Sequence, residues 1–439
     1  MVTYGGDEVS AVVIDVGSAW TRAGYAGEDT PKALFPSAVG IVEGQGTIGA
    51  ANGASGDGDV TMGDASGTIE ITSKKFYVGD NEMNTWRAQM DIKYPVKEGI
   101  VQDWELYEQL WSYAFNNKLR IDPAEHPLLC TEPAWNPPEN REKLTELAFE
   151  KFGFSAFYLA KDAVMTAFAV GKSTALVLDT GSSVTSVVPV YDGYVLKKGI
   201  AKESLAGDFI SEQLKEQLKQ ELGIDIVPQY KVASKTAVKA GKAPEYQVRE
   251  REGTTDSYHE YQQARVLQEF KESVCQVSEM PYDEHTLSVR PQKTFEFPNG
   301  YNNNFGVQRF RVPETMFNPQ HIIKQPADEQ FNPISYSRLV YQSMSHCDID
   351  LRPLLLNNVV VTGGNSLWQG FNERLNHDLP QLAPGSKVKI HAAGNPIERK
   401  CSSWLGGSIL SSLGTFHQLW ISKKEYDEIG PSIVERKCQ

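Results

Sequence analysis

The chain has 439 residues and a net charge of −13, with 43 Lys and Arg against 56 Asp and Glu. That length allows two or more domains with full cores, and the acidic balance argues against broad attraction to nucleic-acid phosphates while favouring basic protein partners. Five scattered cysteines without a C-x-x-C pair argue against a disulfide framework or zinc site, no apolar run approaches the ~18 residues of a membrane span, and no cationic leader precedes Ser10, so a cytosolic or nuclear protein is expected.

In chain order, residues 9–27 alternate as a strand pair with its tip at Asp15–Trp20. From Val39 to about Thr72 the composition changes: eight glycines lie between Gly44 and Gly67, and no Lys or Arg occurs between Lys32 and Lys74. This stretch predicts a mobile loop, because it buries too little apolar surface to offset its ordering entropy. Order resumes at Phe76. Apolar spacing predicts a helix over Trp104–Leu119, a buried strand at Pro127–Cys130, a helix over Arg141–Phe152, a strand at Phe157–Ala160 and a short helix over Asp162–Val170. Strands follow at Val184–Val190 and Gly193–Lys197, joined at Asp192-Gly193, then a helix marked by Leu205, Phe209, Leu214 and Leu218. Residues 226–333 are polar and rich in Tyr, Gln and Pro; apart from Arg265–Glu279 they predict an inserted, irregular subdomain. A helix at Leu339–His346, a strand at Asn358–Thr362, a helix at Phe371–Leu379 and the segment Cys401–Trp420 complete the pattern.

Three turns carry the chemistry. Val12-Val13-Ile14-Asp15-Val16-Gly17-Ser18 returns as Leu176-Val177-Leu178-Asp179-Thr180-Gly181-Ser182-Ser183, and Asn358–Thr362 ends in Gly363-Gly364-Asn365-Ser366. An apolar strand delivers a carboxylate to its tip, glycine lets the chain bend back, and the turn's N–H groups face an anion. One such turn reads equally well as an ordinary hairpin. A repeated one suits two turns holding a phosphate chain, with the Gly-Gly turn admitting a sugar or base. Asp15 and Asp179 would then face phosphates of like charge, which implies a divalent cation such as Mg2+ between them, held through water.

These residues, with Arg22–Gly27, Phe35-Pro36-Ser37, Tyr94-Pro95, Gly99-Ile100-Val101, Thr131-Glu132, Asn140–Lys143, Lys271-Glu272 and the run Glu398–Tyr426, make the chain resemble actin and the actin-related proteins over nearly its whole length. The resemblance implies an α/β, actin-like ATPase fold: two related α/β domains (four subdomains) around a central nucleotide cleft. The small domain would comprise residues 1–168 and 395–439, including a flexible Gly-rich loop at 43–70, and the large domain 169–394, with the irregular insertion at about 226–333. ATP and Mg2+ would be held by Asp15, Gly17, Ser18, Arg22, Asp179, Gly181, Ser182, Ser183, Lys271, Glu272, Gly363, Gly364 and Asn365.

Departures from the family pattern bear on activity. The family's further glycine and phosphate-reaching lysine in the first turn match Ala19 and Arg22. Its water-positioning glutamine matches Asp162, its second-turn aspartate Ser182, and its water-organising histidine Ser186. Three groups that orient a nucleophilic water have changed type, so ATP binding without hydrolysis is expected and no catalytic residue is assigned. Asp162 reads either as a base or as a helix-start residue; the second is favoured.

The Gly/Asp-rich segment replaces the loop with which actin subunits grip one another, so self-polymerisation is not expected. The opening Tyr4–Asp15, Thr131–Asn136 and Leu205–Ile210 resemble a nuclear branch of the family. That branch implies a structural subunit of chromatin-remodelling and histone-acetyltransferase complexes, paired with monomeric nuclear actin on a helicase–SANT-associated scaffold helix, with possible histone contacts, no sequence-specific DNA binding and no membrane. Phe168, Gly171, Ile409, Leu410, Leu413, Thr415, Phe416 and Leu419 match the family's cleft for partner helices, although about half of them read equally as core. An active ATPase or kinase of the wider sugar-kinase superfamily is the alternative, and a cytoskeletal filament subunit the third reading.

Overall fold

The strand Val12–Val16 is the axis of one half of the molecule, and Ala175–Thr180 is the axis of the other. The computed structural model describes residues 10–48, 59–61, 69–326 and 331–439. In the first half, Val12–Val16 runs parallel to Pro127–Glu132, which runs parallel to Ala156–Lys161; on its other side it forms an antiparallel hairpin with Trp20–Tyr25, followed by Ala33–Pro36. In the second, Ala175–Thr180 runs parallel to Val359–Thr362, which runs parallel to Ile390–Ala392; its hairpin partner is Thr185–Tyr191. The repeat in sequence is therefore a repeat in topology, and each copy places its Asp at the carboxyl end of a central strand, where α/β sheets bind ligands. Both central strands read as continuous apolar runs because both faces are covered: Val12, Val13, Ile14, Leu176 and Leu178 have no exposed surface.

Two helices lie between the sheets. Asp162–Ala169 packs on the second sheet and Ser402–Ser412 on the first. They approach so closely because of Gly406-Gly407: a Cβ on Gly406 would stand 1.9 Å from the Met165 carbonyl oxygen, and one on Gly407 would stand 2.9 Å from Leu129 and 3.0 Å from Val13. Rotamer changes cannot relieve a clash with backbone, so Gly406→Ala is expected to destabilise the protein by ~3 kcal/mol or more, read as a lowered urea midpoint; an unchanged midpoint would show that the helices can separate freely.

Three expectations are corrected. The chain from Val39 is not loop: Val39–Ile48 is a strand paired with Ile69–Val78 over ten positions, and Asp59–Thr61 adds a third strand. Pairing of the glycine-bearing strand Val39–Ile48 with Ile69–Val78, which has no glycine, supplies the order that composition did not promise, since register is set by backbone ladders as well as side chains. The rest of the predicted 43–70 loop, residues 49–58 and 62–68, lies outside the described residues, as do 1–9 and 327–330. Nor is 226–333 irregular. It holds hairpins Val232–Thr236/Glu245–Val248 and Lys293–Glu296/Asn302–Phe305, and its helix spans Asp256–Ser273 rather than Arg265–Glu279. Phe270 stacks on Phe297 at 5.8 Å and meets Phe305 edge-on at 4.8 Å, so an aromatic core anchors the region. The strand predicted at Gly193–Lys197 shrinks to Tyr194–Val195.

The last helices close the first half. Buried Arg141 pairs with Glu132 at 3.0 Å and Glu435 at 2.5 Å and donates to the Cys438 carbonyl, while Lys161 lies 2.6 Å from Glu132. The Cys438 thiol accepts from the Leu159 amide at 3.3 Å.

Candidate functional site

The two Asp turns meet. The Ser183 hydroxyl donates to that of Ser18 at 2.7 Å and accepts from the Glu98 amide at 2.9 Å, so one serine joins both halves. Gly17 and Gly181 close their turns by donating to the Trp20 and Val184 carbonyls.

Asp15 is held from three elements. Oδ1 accepts from Thr131 at 2.7 Å, and Oδ2 accepts from Arg22 and Ser403, each at 2.9 Å. Arg22 stands opposite Asp15 in the hairpin register, which is why the pair forms. Burial works to lower the pKa of Arg22, but Asp15 and Cys401 outweigh it, so the guanidinium remains a fixed cation. Its Nε is buried without a partner among the described residues.

Asp179 sits in the opposite wall. Burial pushes its carboxyl up to about 6, with Arg22 opposing the shift and Asp15 adding to it. Asp162 turns inward as well: burial, then the neighbouring Asp179 charge, raise its pKa well above the carboxylate range, although its Oδ1 accepts from the Ala163 amide at 2.6 Å. The helix-start reading of Asp162 thus holds in part. The N-cap position belongs to Lys161, and Asp162 also joins Asp15 and Asp179 electrostatically.

The third turn packs on the second. Gly363 has φ +92°, and a Cβ there would lie 2.3 Å from the Thr180 carbonyl oxygen and 2.5 Å from Asp179 Oδ1. Its missing side chain lets Gly363 pack on Asp179. Asn365 donates to the Gly181 carbonyl at 2.8 Å and to Thr180 Oγ1 at 3.2 Å; Gly364 alone has open space where a Cβ would be. Ser182 donates to Asp208 at 2.6 Å, and Ser186 faces Asp179 across the strand pair. Lys271, its pKa lowered by burial against the opposing pull of Asp208, donates to the Gly207 carbonyl at 2.9 Å, whereas Glu272 pairs with Lys400 at 3.2 Å. Thr131, Ser403, Gly207 and Asp208 are parts of the site that sequence reasoning did not assign. Thr131 lay within a noted motif; Ser403 carried no signal of its own.

The donor set fits an anion with a hard divalent cation. The orphan Nε of Arg22 and the turn amides are donors for phosphate oxygens, and three converging carboxylates outnumber the one guanidinium among them, leaving negative charge for a cation. Among the described residues no three acidic, His or Cys side chains come close enough to ligate an ion directly, so Asp15 and Asp179 would act through the ion's waters.

Of the predicted partner groove, Ile409, Leu413, Thr415, Leu419 and Gly171 are exposed, and Phe168 and Leu410 half-buried. Phe416 is core instead, against Tyr158 at 4.9 Å and Trp420 at 5.0 Å, because it anchors the turn that follows the Ser402–Ser412 helix. Leu410, Phe416 and Leu419 border a cavity of about 250 Å³ with Tyr158, Tyr194 and Gln439.

Duplicated α/β halves that face each other through paired Asp-Gly turns define a two-lobed protein with a phosphate-type cleft between its lobes. The chain matches the Actin family over residues 6–439 and belongs to that family, a nucleotide-binding one. It is 41% identical to Actin-related protein 4 of Arabidopsis thaliana, over 99% of this chain and 100% of that protein. Identity is 42% to Actin-related protein 4 of Emericella nidulans, over 99% and 98%, and 39% to that of Schizosaccharomyces pombe, over 99% and 99%.

Proposed function

We propose that this protein is a non-filamentous member of the family that holds ATP with Mg2+ as a clamp between its lobes. Its role is that of a structural subunit in nuclear chromatin-remodelling and histone-acetyltransferase assemblies, paired with monomeric actin on a scaffold helix. The observation that carries the binding part is the convergence of Asp15, Asp179 and Arg22 with the Ser18–Ser183 bridge, 2.7 Å long, joining the two turns. The engagement of the groups beside the turns supports retention over hydrolysis: Ser182 is held by Asp208 at 2.6 Å, and Asp162 Oδ1 accepts from the Ala163 amide at 2.6 Å. A bound Mg2+ would neutralise phosphate and carboxylate charge; Arg22, the turn amides and the serines bind and orient the phosphates. The partner assignment rests on the likeness to Actin-related protein 4 relatives, on the exposed Ile409, Leu413 and Leu419, and on a net charge of −13 that favours protein partners over DNA.

Protein purified without added nucleotide is expected to carry intact ATP and to release no phosphate at steady state. Bound ADP with steady turnover that Asp162→Gln abolishes would make the protein an ATPase instead. Pure protein is expected to stay in the supernatant with ATP and Mg2+ in sedimentation; pelleted filaments would overturn the non-filamentous reading.

A further inference from the structure

Four arginines are buried among the described residues, Arg141, Arg309, Arg374 and Arg399, and three of them have acceptors. Arg141 pairs with Glu132 and Glu435. Arg374 pairs with Glu314 at 2.7 Å and with Asp378 at 3.1 Å, and Arg399 donates to the Ala393 and Ser366 carbonyls at 2.8 and 3.0 Å. Arg309 is the exception. It is 4% exposed, and its Nε and Nη1 are buried with no hydrogen-bond partner among the described residues. A buried cation without an acceptor is costly, so the arrangement points to a group that completes it.

The backbone fixes where this side chain starts. The Gly306 amide donates to Gln308 Oε1 at 3.1 Å, the Arg309 amide donates to the Gly306 carbonyl at 3.4 Å, and the Arg309 carbonyl accepts from the Gln276 amide at 3.1 Å. The guanidinium carbon lies 4.5 Å from the centre of the Phe310 ring. That buried ring holds the cation in place but supplies no anion.

The charge around Arg309 is of one sign. Burial lowers its pKa, with Cys275 opposing and Arg290 adding to the fall. Cys275 is no counter-ion, because burial pushes its thiol up to about 12 against the pull of Lys271, Lys293 and Arg309. Lys293 donates to the Ser273 carbonyl at 3.1 Å, where the Asp256–Ser273 helix ends two residues before Cys275. Acids of the flanking elements are engaged elsewhere: Glu296 pairs with Lys235 at 2.6 Å, and Glu221 pairs with Arg311. Among the described residues Arg290, Lys293 and Arg309 form no ion pair. Residues 288–292, which carry Arg290, are all exposed, so a solute can reach the rim of this cluster.

We propose that Arg309 is the floor of an oxyanion site on the second half of the molecule, with Arg290 and Lys293 at its rim, and that the ligand is a phosphate group. Three cations without an acid among them match a dianion better than a carboxylate, and a phosphate offers several oxygens to donors that come from different elements. The site is separate from the Asp turns: Asp179 responds to Arg22 and Asp15 but to none of these three cations. It therefore stands apart from the nucleotide reading.

Inorganic phosphate and N-acetyl-phosphoserine amide are the probes, titrated calorimetrically into the full chain in chloride at constant ionic strength, with ATP and Mg2+ present throughout. Phosphate is expected to bind, and Arg309→Met to weaken binding at least ~10-fold. Methionine removes an unpaired buried charge, so without phosphate the urea midpoint of that variant is expected to be no lower than the parent's; a lower midpoint would show that Arg309 already has an internal partner and would overturn the site. If Arg309→Met does not fold, Arg290→Gln combined with Lys293→Gln, both exposed positions, must weaken phosphate at least ~10-fold instead. An ester bound at least as tightly as inorganic phosphate identifies a phosphorylated side chain of a partner as the source, and weaker binding of the ester identifies free phosphate. Binding that survives these substitutions belongs to the Asp15–Asp179 cleft and overturns the proposal, as does a chain that binds neither probe.

Discussion

Asp15→Ala is expected to lower stability by ~3–5 kcal/mol and to empty the cleft of nucleotide. The carboxylate accepts from Thr131, Arg22 and Ser403 at 2.7, 2.9 and 2.9 Å, groups brought from a neighbouring strand, the hairpin return and the Ser402–Ser412 helix. Removing it strands a buried guanidinium without its counter-ion, a change that costs about 3–5 kcal/mol for buried pairs, and two hydroxyls lose their acceptor as well. Asp15→Asn keeps the shape and one acceptor oxygen, so it should lose less stability yet still fail to retain ATP with Mg2+. Urea midpoints and the nucleotide content of purified protein separate the two effects. Variants as stable as the parent would show that the Arg22 pair adds nothing.

Asp179→Asn should act in the opposite direction on the empty protein. Folding raises the Asp179 pKa from 3.8 to about 6 through burial, then through Asp15 against the pull of Arg22. For a carboxyl whose folded value lies above its unfolded one, the folded state binds the proton more tightly, so the associated stability is full below about pH 4 and is lost as pH rises through 6. Asparagine has no proton to lose. The nucleotide-free variant is expected to exceed the parent in stability by up to ~3 kcal/mol at pH 7.5, with the difference vanishing near pH 4, as measured by urea unfolding at a series of pH values. With ATP and Mg2+ present the ranking should reverse, because the ionised Asp179 is then neutralised by the cation. A pH-independent difference between the two proteins would mean that Asp179 is not the titrating group.

Some of this was legible in the chain and some was not. The Asp15 and Asp179 turns could be read because everything that makes them, strand, carboxylate and glycine, is consecutive in sequence. Thr131 and Ser403 could not, since a hydroxyl that reaches Asp15 from another element leaves no local pattern. Gly363 stands out by residue type, but its neighbour does not: its bare Cα faces the Thr180 carbonyl, a fact fixed by the parallel pairing of Asp179 with Thr362. The strand Val39–Ile48 was hidden for a different reason. Glycine lowers intrinsic strand preference, and only pairing with Ile69–Val78 restores it. The aromatic cluster of Phe270, Phe297 and Phe305 leaves no sequence signal because its members come from a helix, the turn after one strand and the end of another, with no shared period.

The first half of the fold is assembled from distant parts of the chain, and this bears on how the protein can be made. The strand Val12–Val16 leaves the ribosome early, yet the glycine pair that covers it belongs to Ser402–Ser412, and the thiol that satisfies the Leu159 amide belongs to Cys438. At ~5–20 residues per second these partners arrive tens of seconds later. The second half, whose strands all lie between Ala175 and Ala392, can close before residue 400 is made; the first must wait for the Ser402–Ser412 helix and Cys438 with its apolar strands uncovered. Nascent chains stalled before residue 400 should accordingly be protease-sensitive in residues 10–160 and resistant in the second half, which makes the interval before residues 402–438 emerge the period in which this protein most needs shielding from aggregation.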